Sequence, residues 1–202
     1  MNTMTRTLLC GTFALLLQSC STTPAQISLY DFGTAPAGTA AAATTPPACS
    51  LTTLQVADVT SSVALDSNLM LYRLAYINDQ QTLAFANHRW SMAPAQLLGM
   101  RIRAQLVADQ IRLIDSGMAN PDGWQLRLNL NDFEQYFRDA GHSDARLEVR
   151  ATLIRSNRLA AQAVFVQQAN AGADAPSGAQ AMRQASDALI ADLSHWLCSQ
   201  AK

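Results

Sequence analysis

Residues 126–131 (LRLNLN) and 146–153 (RLEVRATL) alternate apolar and polar side chains along most of their length. A period of two places the apolar residues of a strand on one face of a sheet and the polar residues on the other. One buried face and one face in water are typical of an antiparallel sheet. We therefore predict two long strands here, and we expect the run 161–167 to be the hairpin partner of the second.

Two amphipathic helices and several shorter strands are predicted around this pair. One helix begins near Ser91 and Pro94 and extends to about residue 110, and the other spans 179–197. Their apolar stripes are Leu98, Ile102 and Leu106 in the first helix, and Met182, Leu189, Leu193 and Trp196 in the second. Shorter strands are predicted at 29–32, 51–59, 69–76, 82–86 and 111–114, and 171–178 is predicted to be a loop. This order favours the α/β (α+β) class, with a mostly antiparallel sheet and two helices packed on one face.

Composition and motifs exclude several functions. The chain of 202 residues is 49% hydrophobic and 14% charged, with a formal net charge of −1, so it is able to bury a core. Lys202 is the only lysine and the arginines are scattered, so we expect no binding to nucleic acid. The histidines at 88, 142 and 195 lack metal-ligand spacing, and the sequence has no nucleophile elbow, Walker loop or dinucleotide fingerprint. We therefore predict no enzyme activity, no cofactor and no metal.

The N-terminus has the parts of a secretion signal. Arg6 supplies a positive charge, residues 7–17 form an apolar run too short to span a membrane, and 17–20 (LQSC) ends the segment. This ending resembles the lipobox of bacterial lipoproteins, in which the cysteine receives lipid and becomes the new N-terminus. We predict a signal peptide over 1–19, a lipidated tether and Ala/Thr/Pro-rich linker over 20–48, and a folded domain over 49–202. The alternative is an ordinary signal peptide in which Cys20 occurs by chance.

Four cysteines remain to be assigned under this interpretation. Cys10 lies in the predicted signal peptide and Cys20 would carry lipid, which leaves Cys49 and Cys198. In an oxidising compartment these two thiols allow a single pairing, and we predict a disulfide that joins both ends of the domain. Two separately buried free thiols are the alternative.

Two polar-aromatic segments are candidate contact regions. They are Tyr72-Arg73 and His88-Arg89-Trp90. Trp90 is expected to pack in the core, with the stems of Arg73 and Arg89 covering it. The alternative is an interface with a partner, because Trp, Tyr and Arg are frequent at interface hot spots.

The order of these segments resembles a known family, the ABC-type transport auxiliary lipoproteins, which include the lipoprotein of the paraquat-inducible system. After a lipobox the family has a Tyr-x-apolar-Gly stretch, here 30–33 (YDFG). It then has an apolar run ending in Tyr72-Arg73, an aromatic followed by His-Arg-Trp at Phe85 and 88–90, and Phe133-Glu134 after a strand. A closing Ala-rich helix matches 179–197, so the resemblance covers nearly the whole chain. The Ala/Thr/Pro-rich segment and the cysteine pair are departures from the family pattern.

The resemblance implies a non-enzymatic accessory component of an ABC transport system that moves lipids or hydrophobic molecules between the inner and outer membranes. Its implied partner is a substrate-binding protein with an MCE domain, with the ATPase and permease as further separate chains. Self-association into a homo-oligomer is a further expectation. Ser21, rather than Asp, follows Cys20, which by the sorting rule of enteric bacteria indicates the outer membrane and a domain facing the periplasm. The alternatives are a lipoprotein that assists lipopolysaccharide insertion, a peptidoglycan-binding or structural lipoprotein, and a hydrolase.

Overall fold

The structure, a computed structural model, describes residues 26–34, 49–115 and 117–201. Within these ranges the strands form one sheet, and two α-helices and one 3₁₀ turn (Val63–Leu65) accompany it. In chain order the elements are β1 (Ser28–Tyr30), β2 (Thr53–Val56), β3 (Thr60–Ser61), β4 (Leu69–Leu74), β5 (Thr82–Trp90), α1 (Pro94–Ala108), β6 (Arg112–Ile114), β7 (Trp124–Phe137), β8 (Ser143–Arg155), β9 (Arg158–Ala171) and α2 (Ala175–Gln200).

The central strand of the sheet is β7. Along its whole length it pairs antiparallel with β8, and β8 pairs antiparallel with β9. The other edge of β7 is shared by three strands that run parallel to it: β2 near its start, β3 in its middle and β4 near its end. From there β2 continues to β6, and β4 continues to β5 and β1. The predicted fold class is confirmed, with a mixed sheet whose longest pairings are antiparallel.

One face of this sheet carries the core. The alternating leucines of β7 and the apolar residues of β8 are buried there, whereas the residues between them are partly or fully exposed on what we call the open face. The core-facing residues of these two strands include Leu126, Leu128, Leu130, Phe133, Ala145, Leu147, Val149, Ala151 and Leu153. They form one cluster with buried residues of both helices, so both helices pack on this face.

The helices are positioned by local signals and by each other. Asp174 caps α2, since its carboxylate accepts a hydrogen bond from the Ser177 N–H at 2.8 Å, and a proline stands in the first turn. Arg101 of α1 joins the two helices, because its guanidinium forms a two-pronged bond with the Asp187 carboxylate at 2.9 and 3.1 Å. The buried faces include the predicted stripes, except that Trp196 is only partly buried.

Several predicted boundaries are wrong. β7 continues to Phe137 instead of ending near 131, because a bulge between Leu130 and Asp132 resets the alternation and turns Phe133 back to the core. The predicted loop at 171–178 is short, since β9 reaches residue 171 and α2 begins at 175. Of the strand predicted over 51–59 only β2 (Thr53–Val56) is found, and β3 follows it at Thr60–Ser61.

The sheet also includes residues that precede Cys49. β1 lies in the segment predicted as the tether, and it pairs in parallel with β5. Phe32, just beyond it, is buried in the core. The folded unit therefore contains a strand from outside the range 49–202, and the predicted short strand at 29–32 is found at Ser28–Tyr30.

Candidate functional site

The motifs singled out in the sequence converge at one end of the sheet. Strands β1, β5, β4 and β7 lie side by side in that order. They carry, respectively, Tyr30, the segment 88–90, the pair Tyr72-Arg73 and the pair Phe133-Glu134. Residues up to about 100 positions apart thus become neighbours only because a parallel pairing joins β4 to β7.

On the core side, three aromatic rings from these motifs form a buried triangle. Trp90 is 3% exposed, and its ring lies 5.4 Å from that of Phe133 and 6.1 Å from that of Phe32 in edge-on contacts. Phe32 and Phe133 close the triangle at 6.3 Å. Trp90 therefore packs in the core, which is the first of the two roles predicted for it. Its side chain offers no exposed surface to a partner.

A second set of rings continues from this triangle toward solvent. We call it the aromatic row; its members are Tyr30, His88, Phe85, Tyr72 and Phe137. Successive ring centroids are 5.7, 6.1, 4.5 and 5.8 Å apart. The Tyr30 hydroxyl is hydrogen-bonded to Nδ1 of His88 at 3.1 Å. All of these side chains except Phe137 are partly exposed, so the row presents a half-buried aromatic surface.

A bulge in β5 shapes the aromatic row. Leu69 and Leu71 of β4 stand opposite Arg89 and Ala84, so four residues of β5, 85–88, face one residue of β4. The bulge brings Phe85 and His88 within contact of each other, although strict alternation would turn them to opposite faces. The Arg89 guanidinium donates to the carbonyl oxygens of Phe85 and His88. Arg89 thus holds the bulge rather than covering Trp90 as predicted.

On the open face, the same strands form a polar cluster, defined as Arg73, Asp132, Glu134, Tyr136 and Arg146. The Arg73 guanidinium donates to both carboxylate oxygens of Glu134 at 3.1 Å, and also to Thr82 Oγ1 at 2.8 Å. Glu134 is 8% exposed although it is charged. The Tyr136 hydroxyl donates to Asp132 at 3.2 Å, and Arg146 lies 3.4 Å from Asp132. Both arginines lie over the Tyr136 ring, 5.4 and 5.5 Å from its centroid.

Burial and close charges shift the proton equilibria of this cluster. Burial raises the pKa of Asp132 above its ordinary value, and the negative charge of Glu134 adds to the shift against the opposing effect of Arg146. Burial likewise raises the pKa of Tyr136, with Asp132 next in importance. For Arg73, burial acts to lower the pKa, but the charges and hydrogen bonds of Glu134 and Tyr136 together outweigh it and the pKa is raised. The cluster is therefore a network of charges that are paired with one another.

The sequence anticipated only part of this cluster. The sequence motifs include Arg73 and Glu134 but not Asp132, Tyr136 or Arg146. Their spacing on alternate positions of β7 and β8 is a signal for a shared face, but the register that joins them to Arg73 was not visible in the sequence.

The start of the segment 49–115 meets the C-terminal end of α2. The structure joins Cys49 and Cys198 in a disulfide, with their Cα atoms 4.8 Å apart and a separation of 149 positions in the sequence. The Ser50 hydroxyl donates to the Ala201 carbonyl oxygen beside it. Cys20, the predicted lipidation site, lies outside the described residues, as do the signal peptide and the Ala/Thr/Pro-rich segment.

In the described part of the chain, no three His, Cys, Asp or Glu side chains are grouped as a metal site would require. Among the same residues, no helix combines the length and apolar character needed to cross a membrane. His88 bonds to a tyrosine and His142 bonds to Asp139 in an exposed turn, so neither histidine pairs with a nucleophile in these contacts. What the site offers is an aromatic row on one face and a network of paired charges on the other, which suits binding.

Solved structures share this fold at low sequence identity. A Xanthomonas campestris protein of the family DUF330 superposes with a TM-score of 0.66 at 19% identity, over 76% of this chain and 89% of that one. An uncharacterized protein superposes with a TM-score of 0.64 at 15% identity, over 85% of this chain and 99% of that one. A search of the curated proteins found no match.

Fold and site together define a small α+β domain. The family of ABC-type transport auxiliary lipoprotein components matches residues 30–194, most of the chain. The protein belongs to this family. It is therefore an auxiliary lipoprotein of the ABC-type transport family, and membership implies a cell-envelope location and a non-enzymatic component. The resemblance stated from the sequence motifs is confirmed.

Proposed function

We propose that this protein is the lipid-anchored accessory component of an ABC transport system that moves lipids or other hydrophobic molecules between the inner and outer membranes. Acyl chains on Cys20 anchor it to the outer membrane, and its domain faces the periplasm. There it binds an MCE-domain protein of the same system. It carries out no catalysis.

The observation that carries this proposal is the convergence of the family motifs on one end of the sheet. Their side chains form a contact surface there, the aromatic row, instead of a closed catalytic cleft. A shallow groove lies beside it, between β1 and the first turns of α2, lined by Tyr30, Pro176, Gln180 and Arg183 among others. Aromatic and arginine side chains at the rim of a groove are the residue types that anchor protein partners.

The position of Cys20 adds a geometric argument. Ser28, the first residue of β1, lies eight positions after Cys20 in the sequence. A chain of that length reaches at most about 29 Å when fully extended. If Cys20 carries the lipid, β1 and the adjoining aromatic row therefore lie close to the membrane surface that holds the anchor, where a membrane-bridging partner would meet them.

Co-purification tests the partner. The chain should retain an MCE-domain protein encoded beside it, and His88→Ala, which removes the Tyr30 contact, should weaken that retention. The matched control is His195→Ala, because His195 is exposed on α2 away from the row. If His88→Ala and His195→Ala reduce retention of the MCE-domain protein equally, the aromatic row is not the contact surface. If the unaltered chain retains no such protein, the proposed partner is contradicted. Strong binding to an outer-membrane barrel and to lipid A instead would favour lipopolysaccharide insertion.

Mass spectrometry of the mature N-terminus tests the anchor. We expect an acylated cysteine at position 20, and we expect Cys20→Ser to leave an unprocessed, unlipidated precursor. An unmodified N-terminus at another position would contradict the lipoprotein anchor without affecting the contact surface, so the two parts of the proposal fail separately.

A further inference from the structure

The outermost long strand of the sheet, β9, has an open edge. It spans Arg158–Ala171, and within the described residues it pairs with β8 alone. Its second row of backbone N–H and C=O groups therefore has no ladder partner there. Natural proteins protect such edges with charged residues, proline or bulges. From Leu159 to Ala171 the strand contains no charge and no proline, and its pairing with β8 is regular from Ala161 onward.

The open-face side chains of β9 are symmetric about Phe165. In order they are Gln162, Val164, Val166 and Gln168, so the same residue types follow in both directions from the centre. Val164 is 54% exposed and Val166 is 46% exposed. In an antiparallel pair of two identical strands centred on Phe165, each Val164 lies opposite the partner's Val166, and each Gln162 lies opposite a Gln168. Apolar residues thus face apolar residues, and amides face amides.

The helix side of β9 is symmetric only in part, because Ala163 and Gln167 flank Phe165 on its two sides. Phe165 packs edge-on against Trp196 of α2, with ring centroids 5.8 Å apart, and both residues are only partly buried. Ala161 and Ala169 stand at equal distances on either side of Phe165. An antiparallel copy would place two such aromatic pairs around the symmetry axis, with each Ala163 opposite a Gln167 and each Ala161 opposite an Ala169.

We propose that β9 pairs with β9 of a second copy of this chain, antiparallel and with its two-fold axis at Phe165, to form one continuous sheet through both molecules. A second copy is the occupant because the pattern is complementary to itself, as a two-fold interface must be. The absence of charge from residue 159 to 171 gives no basis for selecting a different, oppositely charged partner. This inference does not depend on the transport function or on the lipid anchor.

Cysteine cross-linking in cells that produce the full chain tests the geometry. Two differently tagged chains, Val164→Cys and Val166→Cys, should form a mixed disulfide dimer, because residues directly opposite in an antiparallel pair come within bonding distance. Each variant alone should cross-link far less, because residue 164 of one chain and residue 164 of the second copy are diagonal neighbours about 7–8 Å apart. Arg150→Cys is the matched control, because it lies on the same face one strand inward from the edge. The unaltered chain shows the background from native cysteines.

A charge test decides whether the edge drives association. Val164→Lys with Val166→Lys places like charges opposite each other in the dimer but leaves the monomer's core untouched. We expect the unaltered full chain to dimerise with rising concentration in light-scattering chromatography, and the double variant to remain monomeric with an unchanged melting temperature. Val107→Lys, an exposed valine on α1, should still dimerise. An unaltered chain that stays monomeric, dimers that survive the double substitution, or equal cross-linking at Arg150→Cys would each overturn the proposal.

Discussion

Loss of the Cys49–Cys198 disulfide should destabilise the domain by a large amount. The bond closes a loop of 149 residues. In the chain-entropy account, cross-linking a loop of that length removes about 5 kcal/mol of conformational freedom from the unfolded state at 25 °C. This figure is an upper limit, because strain in the native state or residual structure in the unfolded chain reduces it.

The assay is thermal and urea unfolding of soluble chain that begins at residue 21. We compare oxidised protein, reduced protein and the double variant Cys49→Ala with Cys198→Ala. A loss of about 5 kcal/mol lowers the melting temperature of a domain of this size by roughly 10–20 °C. Burial of Leu51 and Leu197 near the two cysteines should keep the reduced domain folded at low temperature.

The control is built into the comparison. Reductant should shift the unaltered protein to the stability of the double variant and should leave the double variant unchanged. Non-reducing peptide mapping should recover residues 49 and 198 in one linked fragment. Two free thiols in protein from an oxidising compartment, or equal stability of all three samples, would refute the reasoning.

Three further predictions concern the motif end of the sheet. Trp90→Ala should cost about 3–5 kcal/mol in unfolding free energy, because it empties a fully packed site, whereas Trp124→Ala, at a partly exposed position, should cost less in the same denaturation series. Arg73→Met should cost about 2–4 kcal/mol by leaving Glu134 nearly buried and unpaired, and adding Glu134→Gln should restore part of the loss; no recovery would contradict the ion-pair account. The pKa of Asp132 is raised in the fold, so the folded state holds the proton more tightly than the unfolded chain does. The contribution of Asp132 to the free energy of unfolding therefore increases as the pH falls toward and through that raised pKa. Asp132→Asn should therefore be more favourable relative to the unaltered chain at neutral pH than at acid pH, and a stability difference independent of pH would contradict the shift.

The strands that carry a strict alternation were predictable from the sequence alone. In β7 the leucines, and in β8 the apolar residues, recur every second residue, and a one-residue slip would expose all of them, so the buried face was determined locally. The same holds for the stripe of Leu98, Ile102 and Leu106 in α1, where the 3.6-residue period leaves a single way to bury them.

Element ends were less predictable because competing short-range signals determine them. The bulge at Asn131 shifts the alternation by one residue, so the period-two pattern breaks there although the strand does not end. At α2, Asp174 and Pro176 are ordinary helix-start signals, but they lie in a segment whose small residues are equally typical of a loop.

The candidate site was decided by tertiary structure. The sequence identified Tyr72-Arg73, the segment 88–90 and Glu134 as separate segments, and no local rule predicts that β4 pairs in parallel with β7. That pairing brings Arg73 to Glu134 across 61 positions, and the β5 bulge turns His88 and Phe85 to the same side. Periodicity reports which face of an element is buried, because burial depends on one strand or helix at a time. The choice of neighbouring strands depends on the free energy of the whole sheet. No residue-by-residue pattern in a single sequence reports that free energy.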